Sequence, residues 1–172
     1  MVWRADLAAN RSDPKGLLLV TCFRLASAAS RVARGGMGAR LLMAPPLVAY
    51  RVLIGWVLGV ELPSSTRVGP GLRIRHGQGL VVNPGTELGE GVMLRQGVTI
   101  GNVRRSSGPS ACPKVGDGVE FGANCVVVGD IHIGDGAMIG AGCVVTTDVP
   151  AGALARPARP DIVDRSGSTT AR

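Results

Sequence analysis

Among the side chains of this sequence, only the two histidines ordinarily change charge near neutral pH, and one of them, His76, stands in the run Arg75-His76-Gly77-Gln78-Gly79. An imidazole with a carboxylate beside it can take the proton from a weak oxygen nucleophile, because the carboxylate orients the ring and favours the transient imidazolium. Glu61 is the carboxylate whose spacing suits that role, and Gln96 is a third polar side chain on the same spacing. The four cysteines, Cys22, Cys112, Cys125 and Cys143, form no CxxC pair and no paired framework, so neither a zinc cluster nor a disulfide scaffold is expected. A reducing, cytoplasmic setting fits them.

What must hold these side chains in place is set by a period of six. Aliphatic or aromatic residues recur at Leu62, Val68 and Ile74, then from Val82 through Leu88 and Leu94 to Ile100, then from Val115 through Phe121, Val127, Ile133 and Ile139 to Val145. Segments such as Ile133-Gly134-Asp135-Gly136-Ala137-Met138 show the unit: an aliphatic corner, turn residues, and a second small inward side chain. Each unit makes one flat side of a triangular prism, so about eighteen residues complete a coil and the corners stack into a narrow core. The expected fold is mainly β, a left-handed parallel β-helix of hexapeptide repeats over 61–150, with a short helical arm at 1–60 and a tail at 151–172. Large aromatics are expected not to fit inside, and the abundant glycines serve the turns.

Two insertions interrupt the period: two extra residues between Ile74 and Val82, and nine between Ile100 and Val115. Insertions must leave the prism as loops, and loops on a rigid scaffold are where sites form. The shorter one carries His76, and the longer one predicts a projecting loop at 101–114 that includes Cys112. Counting corners in threes puts Glu61, just ahead of Leu62, at the end of the prism side that carries His76 one coil later. Coils stack about 4.8 Å apart, within reach of a carboxylate for an imidazole. Gln96, two residues after Leu94, is expected at the position equivalent to His76 one coil further on, giving a column Glu61, His76, Gln96. His132 falls nearly three coils away, about 14 Å along the axis, so the two histidines cannot share a metal and no metal site is expected.

Composition excludes other classes. A hydrophobic fraction of 45% across 172 residues argues against disorder despite 26 glycines and 11 prolines. Only Trp3, Phe23, Tyr50, Trp56 and Phe121 are aromatic, too few for a base-stacking platform. The net charge of +7 is carried by scattered arginines without a dense basic run, so no nucleic acid is expected and an anionic ligand is the modest alternative.

The N-terminal run from Lys15 through Leu17-Leu18-Leu19-Val20 has the look of a short signal peptide, interrupted by Arg24. The stretch from Leu41 to Leu62 contains Pro45-Pro46 and Arg51, which leaves too short an uncharged run for a membrane span. A packed helix from about Leu47 to Gly59 is expected, its apolar face supplied by Val48, Tyr50, Leu53, Ile54, Val57 and Leu58. Peripheral membrane association through that face is a secondary reading.

Over roughly residues 47–150 the chain resembles the hexapeptide-repeat acyltransferases, in particular serine acetyltransferases and the related acetyltransferases of capsule and colanic acid clusters. The resemblance rests on Val60-Glu61-Leu62-Pro63, on Arg75-His76-Gly77-Gln78-Gly79, on Arg95-Gln96-Gly97-Val98-Thr99 and on Thr146-Thr147-Asp148-Val149-Pro150. It implies that His76 deprotonates an acceptor hydroxyl with Glu61 as its acidic partner, and that Arg75, Gln78 and Gln96 face the acceptor. It further implies acetyl-CoA in a groove between subunits of a homotrimer, near Gly101, Ala123 and Ala141. Thr147 stands where the family often has a basic residue for the CoA phosphates, which leaves Arg156 or Arg159 for them. Where serine acetyltransferases commonly have Asp before the histidine this chain has Arg75, and Cys112-Pro113 replaces a His-Pro. These departures favour a sugar or polysaccharide-precursor hydroxyl over serine. A shortened stretch after Pro150 suggests an incomplete last coil. A non-catalytic scaffold or a membrane-surface assembly protein is the reading from other classes.

Overall fold

The computed structural model describes residues 2–103 and 111–160; the middle of the expected projecting loop and the end of the tail lie outside the described residues. Three helices come first: α1 (Val2–Ala9), α2 (Pro14–Ala33) and α3 (Met37–Tyr50), the last running on as a π-helical stretch, Arg51–Val57. Among the described residues fourteen short strands follow, numbered in chain order, and they stack in parallel on three faces. One face is β1 (Val60–Glu61), β4 (Leu80–Val82), β7 (Thr99–Gly101), β10 (Val126–Val128) and β13 (Val144–Val145). The second is β2 (Arg67–Val68), β5 (Glu87–Leu88), β8 (Lys114–Val115) and β11 (His132–Ile133), extended by a bridge from Ile133 to Val149. The third is β3 (Arg73–Arg75), β6 (Met93–Arg95), β9 (Glu120–Phe121), β12 (Met138–Ile139) and β14 (Leu154–Ala155).

This is the parallel β-helix that the six-residue period specifies. Corners such as Ile74, Leu94, Ile100, Val127, Ile133 and Ile139 are fully buried, and the second inward positions Val92, Val98, Val119, Cys125 and Ala137 fill the space between them. Phe121 corrects the expectation that no aromatic fits: it is fully buried at a corner of this core, whose other inward side chains include the small Cys125, Ala137 and Cys143. The last coil is also more complete than expected, because Leu154–Ala155 pairs with Met138–Ile139, and the ladder therefore runs to Ala155 rather than stopping near 150.

A solenoid's first coil presents unpaired backbone groups that some other element must satisfy. Here α1 and α2 do so. The buried Asp6 carboxylate accepts from the N–H groups of Gly71 and Leu72, Asn10 donates to the Leu72 carbonyl, and Arg24 donates to the carbonyls of Val68 and Gly69. Asp6 and Arg24 pair with each other at 2.8 Å. Leu19, Val20, Phe23 and Ala26 of α2 are buried, so the signal-like run is a helix with one face packed into the protein.

The helix leading into the solenoid is longer than expected. It starts at Met37 and carries Pro45 and Pro46 within it. The assignment of its inner face is corrected too: Val48, Leu53 and Val57 are exposed, Ile54 is buried, and Tyr50 is half-buried with its hydroxyl donating to the Leu62 carbonyl. The helix is apolar on nearly every side, so periodicity alone could not choose the side that packs.

Candidate active site

Strand register identifies the residues that form the two-residue insertion. Arg75 pairs with Arg95 on one side of it, and Val81 pairs with Thr99 on the other. The Gly97 N–H donates to the Gln78 carbonyl, so Gln78 stacks on Gln96. The two residues without a counterpart in the next coil are therefore His76 and Gly77 themselves. This corrects the expected column: Gln96 is in register with Gln78, and His76 bulges from the corner between them and Arg75.

The bulge is built from left-handed backbone. His76 has φ 66°, Gly77 59° and Gly79 70°. Tight bonds close it, from the Gly77 N–H to the Arg75 carbonyl and from the Gln78 N–H to the His76 carbonyl, both 2.8 Å. A Cβ on Gly77 would sit 2.8 Å from Leu19 Cδ1 and 3.0 Å from Ile74 Cγ2, so only glycine lets the chain pass under α2 and turn the imidazole outward. A non-glycine residue in this region costs about 1–3 kcal/mol, a strain that marks functional positions.

Two carboxylates belong to this corner. Glu61, exposed on β1, stacks on Val81 at the far end of the side that His76 opens. Among the described residues, no hydrogen bond or ion pair joins it to the ring. Asp13, from the helical arm, was not among the expected site residues. It caps α2 by accepting from the Gly16 N–H and pairs with Arg75 Nη1 at 3.2 Å. The Gly16 N–H holds its carboxyl below the ordinary carboxylate range, aided by the positive charge of Arg75 and of protonated His76. Arg75 also donates to the Ala9 carbonyl, which fixes it between the arm and the bulge. The pairing joins residues far apart in sequence, and an N-cap signature, Asp13-Pro14 ahead of an apolar run, was its only trace.

Gln96 keeps its side-chain oxygen buried without a hydrogen-bond partner among the described residues. Below it the same turn recurs: Asn124 N–H donates to the Gln96 carbonyl and Gly142 N–H to the Ala123 carbonyl, so Gln78, Gln96, Ala123 and Ala141 form one continuous column. Gly101 lies apart from that column, at the far end of β7 against Val128. After β14 the chain passes over Gly140, where a Cβ would lie 3.6 Å from Arg156 Cα, so Arg156 reaches the coil of Ala141. Arg156 and Arg159 are exposed.

Asn83, also unforeseen, ties down both roots of the projecting loop: it donates to Asn102 Oδ1 at 3.0 Å and accepts from Cys112 Sγ at 3.2 Å. Cys112 thus packs at the loop root, and burial pushes its thiol up. His132 lies on β11, its backbone N–H bonded to Asp148, far from the bulge.

The bacterial transferase hexapeptide family (six repeats) matches residues 112–147. The Escherichia coli K12 protein named for colanic acid biosynthesis acetyltransferase WcaB is 37% identical over 126 residues, covering 73% of this chain and 76% of that protein. A protein named for serine acetyltransferase 3 of Oryza sativa subsp. japonica is 40% identical over 136 residues, but this chain spans only 44% of its length. The soybean serine acetyltransferase apoenzyme superposes with a TM-score of 0.73 at 32% identity, over 92% of this chain and 66% of that one. A Neisseria gonorrhoeae serine acetyltransferase in complex with serine gives 0.72 at 32% identity, over 92% and 67%. With a repeating core of this kind, a strained histidine at its one short bulge and a relative matched along most of its length, the chain belongs to the hexapeptide-repeat acetyltransferases of the left-handed β-helix fold.

Proposed function

We propose that this acetyltransferase uses acetyl-CoA to acetylate a hydroxyl of a sugar or polysaccharide precursor, with His76 as the general base. The observation that carries the reading is the bulge itself. The only short insertion in the solenoid consists of a histidine and the glycine that lets it project. An alcohol is too weak a nucleophile for a thioester at neutral pH unless its proton leaves as the bond forms. His76 takes that proton, the oxygen attacks the thioester carbonyl, and a tetrahedral oxyanion forms against a backbone N–H of the glycine-rich side. Collapse breaks the C–S bond, and the proton on the imidazolium passes to the departing CoA sulfur. Glu61, which makes no hydrogen bond to the ring in this structure, would close on the imidazole when the acceptor binds and hold it in the tautomer that accepts the proton. Arg75, Gln78 and Gln96 contact the acceptor. Ala123, Ala141, Arg156 and Arg159 line the cofactor groove, which Gly101 meets only from the far end of β7, and a neighbouring subunit of a homotrimer in the cytoplasm completes it.

The choice of a neutral acceptor rests on Asp13 and Arg75. Their ion pair neutralises the carboxylate that the arm brings to this corner, and Glu61, the other carboxylate there, is assigned to the imidazole, so neither is left to receive an ammonium group. Serine is the second reading, favoured by the likeness to the serine acetyltransferase structures. A panel of L-serine, nucleotide sugars, free aminosugars and oligosaccharide repeats, scored for CoA release from acetyl-CoA, separates them. Turnover on serine alone would overturn the sugar reading.

A further inference from the structure

The helical arm carries an apolar face that no other described residue covers. From Met37 to Val57 the helix is long and apolar enough to cross a membrane by length and composition, yet only 6% of it is buried. It meets the protein along one narrow stripe that includes the half-buried Met43, Leu47 and Tyr50 and the buried Ile54. Those contacts, with the Tyr50 bond to the solenoid, hold it against the first coil, so it cannot span a bilayer while packed. Leu41, Leu42, Val48, Val52, Leu53 and Trp56 point away from that stripe, Trp56 with 82% of its surface exposed. At 100° per residue Leu41, Leu42 and Val48 share one outward side of the α-helix, and the exposed Val52, Leu53 and Trp56 carry exposed apolar surface on through the π-helical stretch.

The charge of the arm is almost all of one sign. Residues 1–60 hold eight cations, Arg4, Arg11, Lys15, Arg24, Arg31, Arg34, Arg40 and Arg51, against two carboxylates, Asp6 and Asp13, which is +6 of the chain's +7. Both carboxylates are already committed, Asp6 to Arg24 and Asp13 to Arg75. Arg40 and Arg51, three turns apart, lie on the same flank of the helix. At the end of the apolar strip, Arg34 and Arg40 line an open cleft with Ala33, Gly36 and Met37. A second copy of the chain would bring like charges together over this face, whereas an anionic surface would meet both the arginines and the apolar strip.

We propose that this face lies in the plane of an anionic lipid bilayer, with Leu41, Leu42, Val52, Leu53 and Trp56 among the acyl-chain boundary and Arg34, Arg40 and Arg51 on the headgroup phosphates. The proposal does not depend on which hydroxyl the enzyme acetylates. The test is flotation of the full-length chain with vesicles of phosphatidylcholine alone and of phosphatidylcholine with phosphatidylglycerol, with light scattering in parallel. The chain floats with the anionic vesicles and is released as salt rises. Leu42→Ser with Trp56→Ser lowers partitioning by at least about tenfold. Arg34→Gln and Arg40→Gln each lower it about fivefold, since each charge contributes about 1 kcal/mol near an anionic surface. Retained acetyl transfer and helicity show that these variants are folded, and the arginine pair gives an independent readout if the serine variant is not. Absence of flotation, or equal flotation with uncharged vesicles, overturns the proposal. So does a larger wild-type assembly that Leu42→Ser with Trp56→Ser divides, because the face is then covered by a second copy.

Discussion

Asp13 and Arg75 meet at 3.2 Å, joining the cap of a helix in the arm to the strand end that leads into His76 one residue later. The ion pair sets the local charge at this corner, which on the proposed function is the acceptor side. Removing Arg75 frees a carboxylate within the field of His76, while removing Asp13 leaves an uncompensated guanidinium there. Arg75→Ala is therefore expected to raise kcat/KM for an ammonium-bearing acceptor relative to a neutral sugar by about tenfold, the scale of one polar contact in an acceptor pocket. Competition kinetics with serine and a sugar acceptor measure that ratio. An unchanged ratio would separate the pair from acceptor choice.

The same carboxylate has a stability signature with a defined sign. Its folded pKa is depressed, chiefly by the Gly16 N–H and then by Arg75. Its contribution is therefore complete above the ordinary carboxylate value and is lost as pH falls through the folded one. In urea titrations across the acid range, Asp13→Asn should flatten the loss of stability below about pH 4. A parallel acid limb in the two proteins would contradict the assignment.

The end cap predicts a larger effect. Asp6 and Arg24 are both nearly buried, and together they satisfy four backbone groups of the first coil. Arg24→Met strands a buried carboxylate and two carbonyls, at a cost of about 3–5 kcal/mol. Chemical denaturation should show it, with the arm more open to proteolysis. A loss below about 1 kcal/mol would mean that water replaces the guanidinium easily.

Burial makes a further prediction for the core. Cys125 is fully buried, and that burial, with Cys143 nearby, pushes its thiol up to about 12. The neutral thiol is the folded form, so this group's contribution is intact below its ordinary value of 9.0 and falls away as pH rises toward about 12. Thiol reagents at neutral pH should label the half-buried Cys22 and Cys112 faster than Cys125, whose labelling should track unfolding. Labelling of Cys125 as fast as Cys112 would show that the coil opens locally.

The sequence made the solenoid legible because its period is dictated by geometry: every corner from Leu62 to Val145 must be apolar, and three faces follow from the count. The presence of a short bulge was legible for the same reason, as two residues too many between Ile74 and Val82. Which two residues were extra was not, because only the pairings of Arg75 with Arg95 and Val81 with Thr99 reveal it. That is why Gln96 was expected beside His76 and is instead stacked on Gln78. Asp13, Asp6 and Arg24 act across long sequence separations on a helical arm that has no repeat, so no local pattern could pair them. The inner side of α3 was hidden by a helix that is apolar around most of its circumference.

The last prediction separates the base from the bend that presents it. His76 holds φ 66°, a conformation that asparagine adopts at little cost, so His76→Asn keeps the bulge while removing the imidazole proposed to take the proton. The side chain is exposed, so stability should change by no more than about 0.5 kcal/mol. Acetyl transfer should fall by roughly 10² to 10⁴, the usual contribution of a positioned general base. The loss should appear in kcat, with KM for acetyl-CoA near wild type, because no cofactor contact is assigned to the ring. Glu61→Gln should lose less, about tenfold, since it orients the ring without receiving the proton. His76→Gly gives the complementary control: it relieves the backbone, matches or exceeds wild-type stability, and still loses the activity. If His76→Asn folds and turns over at the wild-type rate on the true acceptor, the proton goes to another group and the bulge has a different purpose.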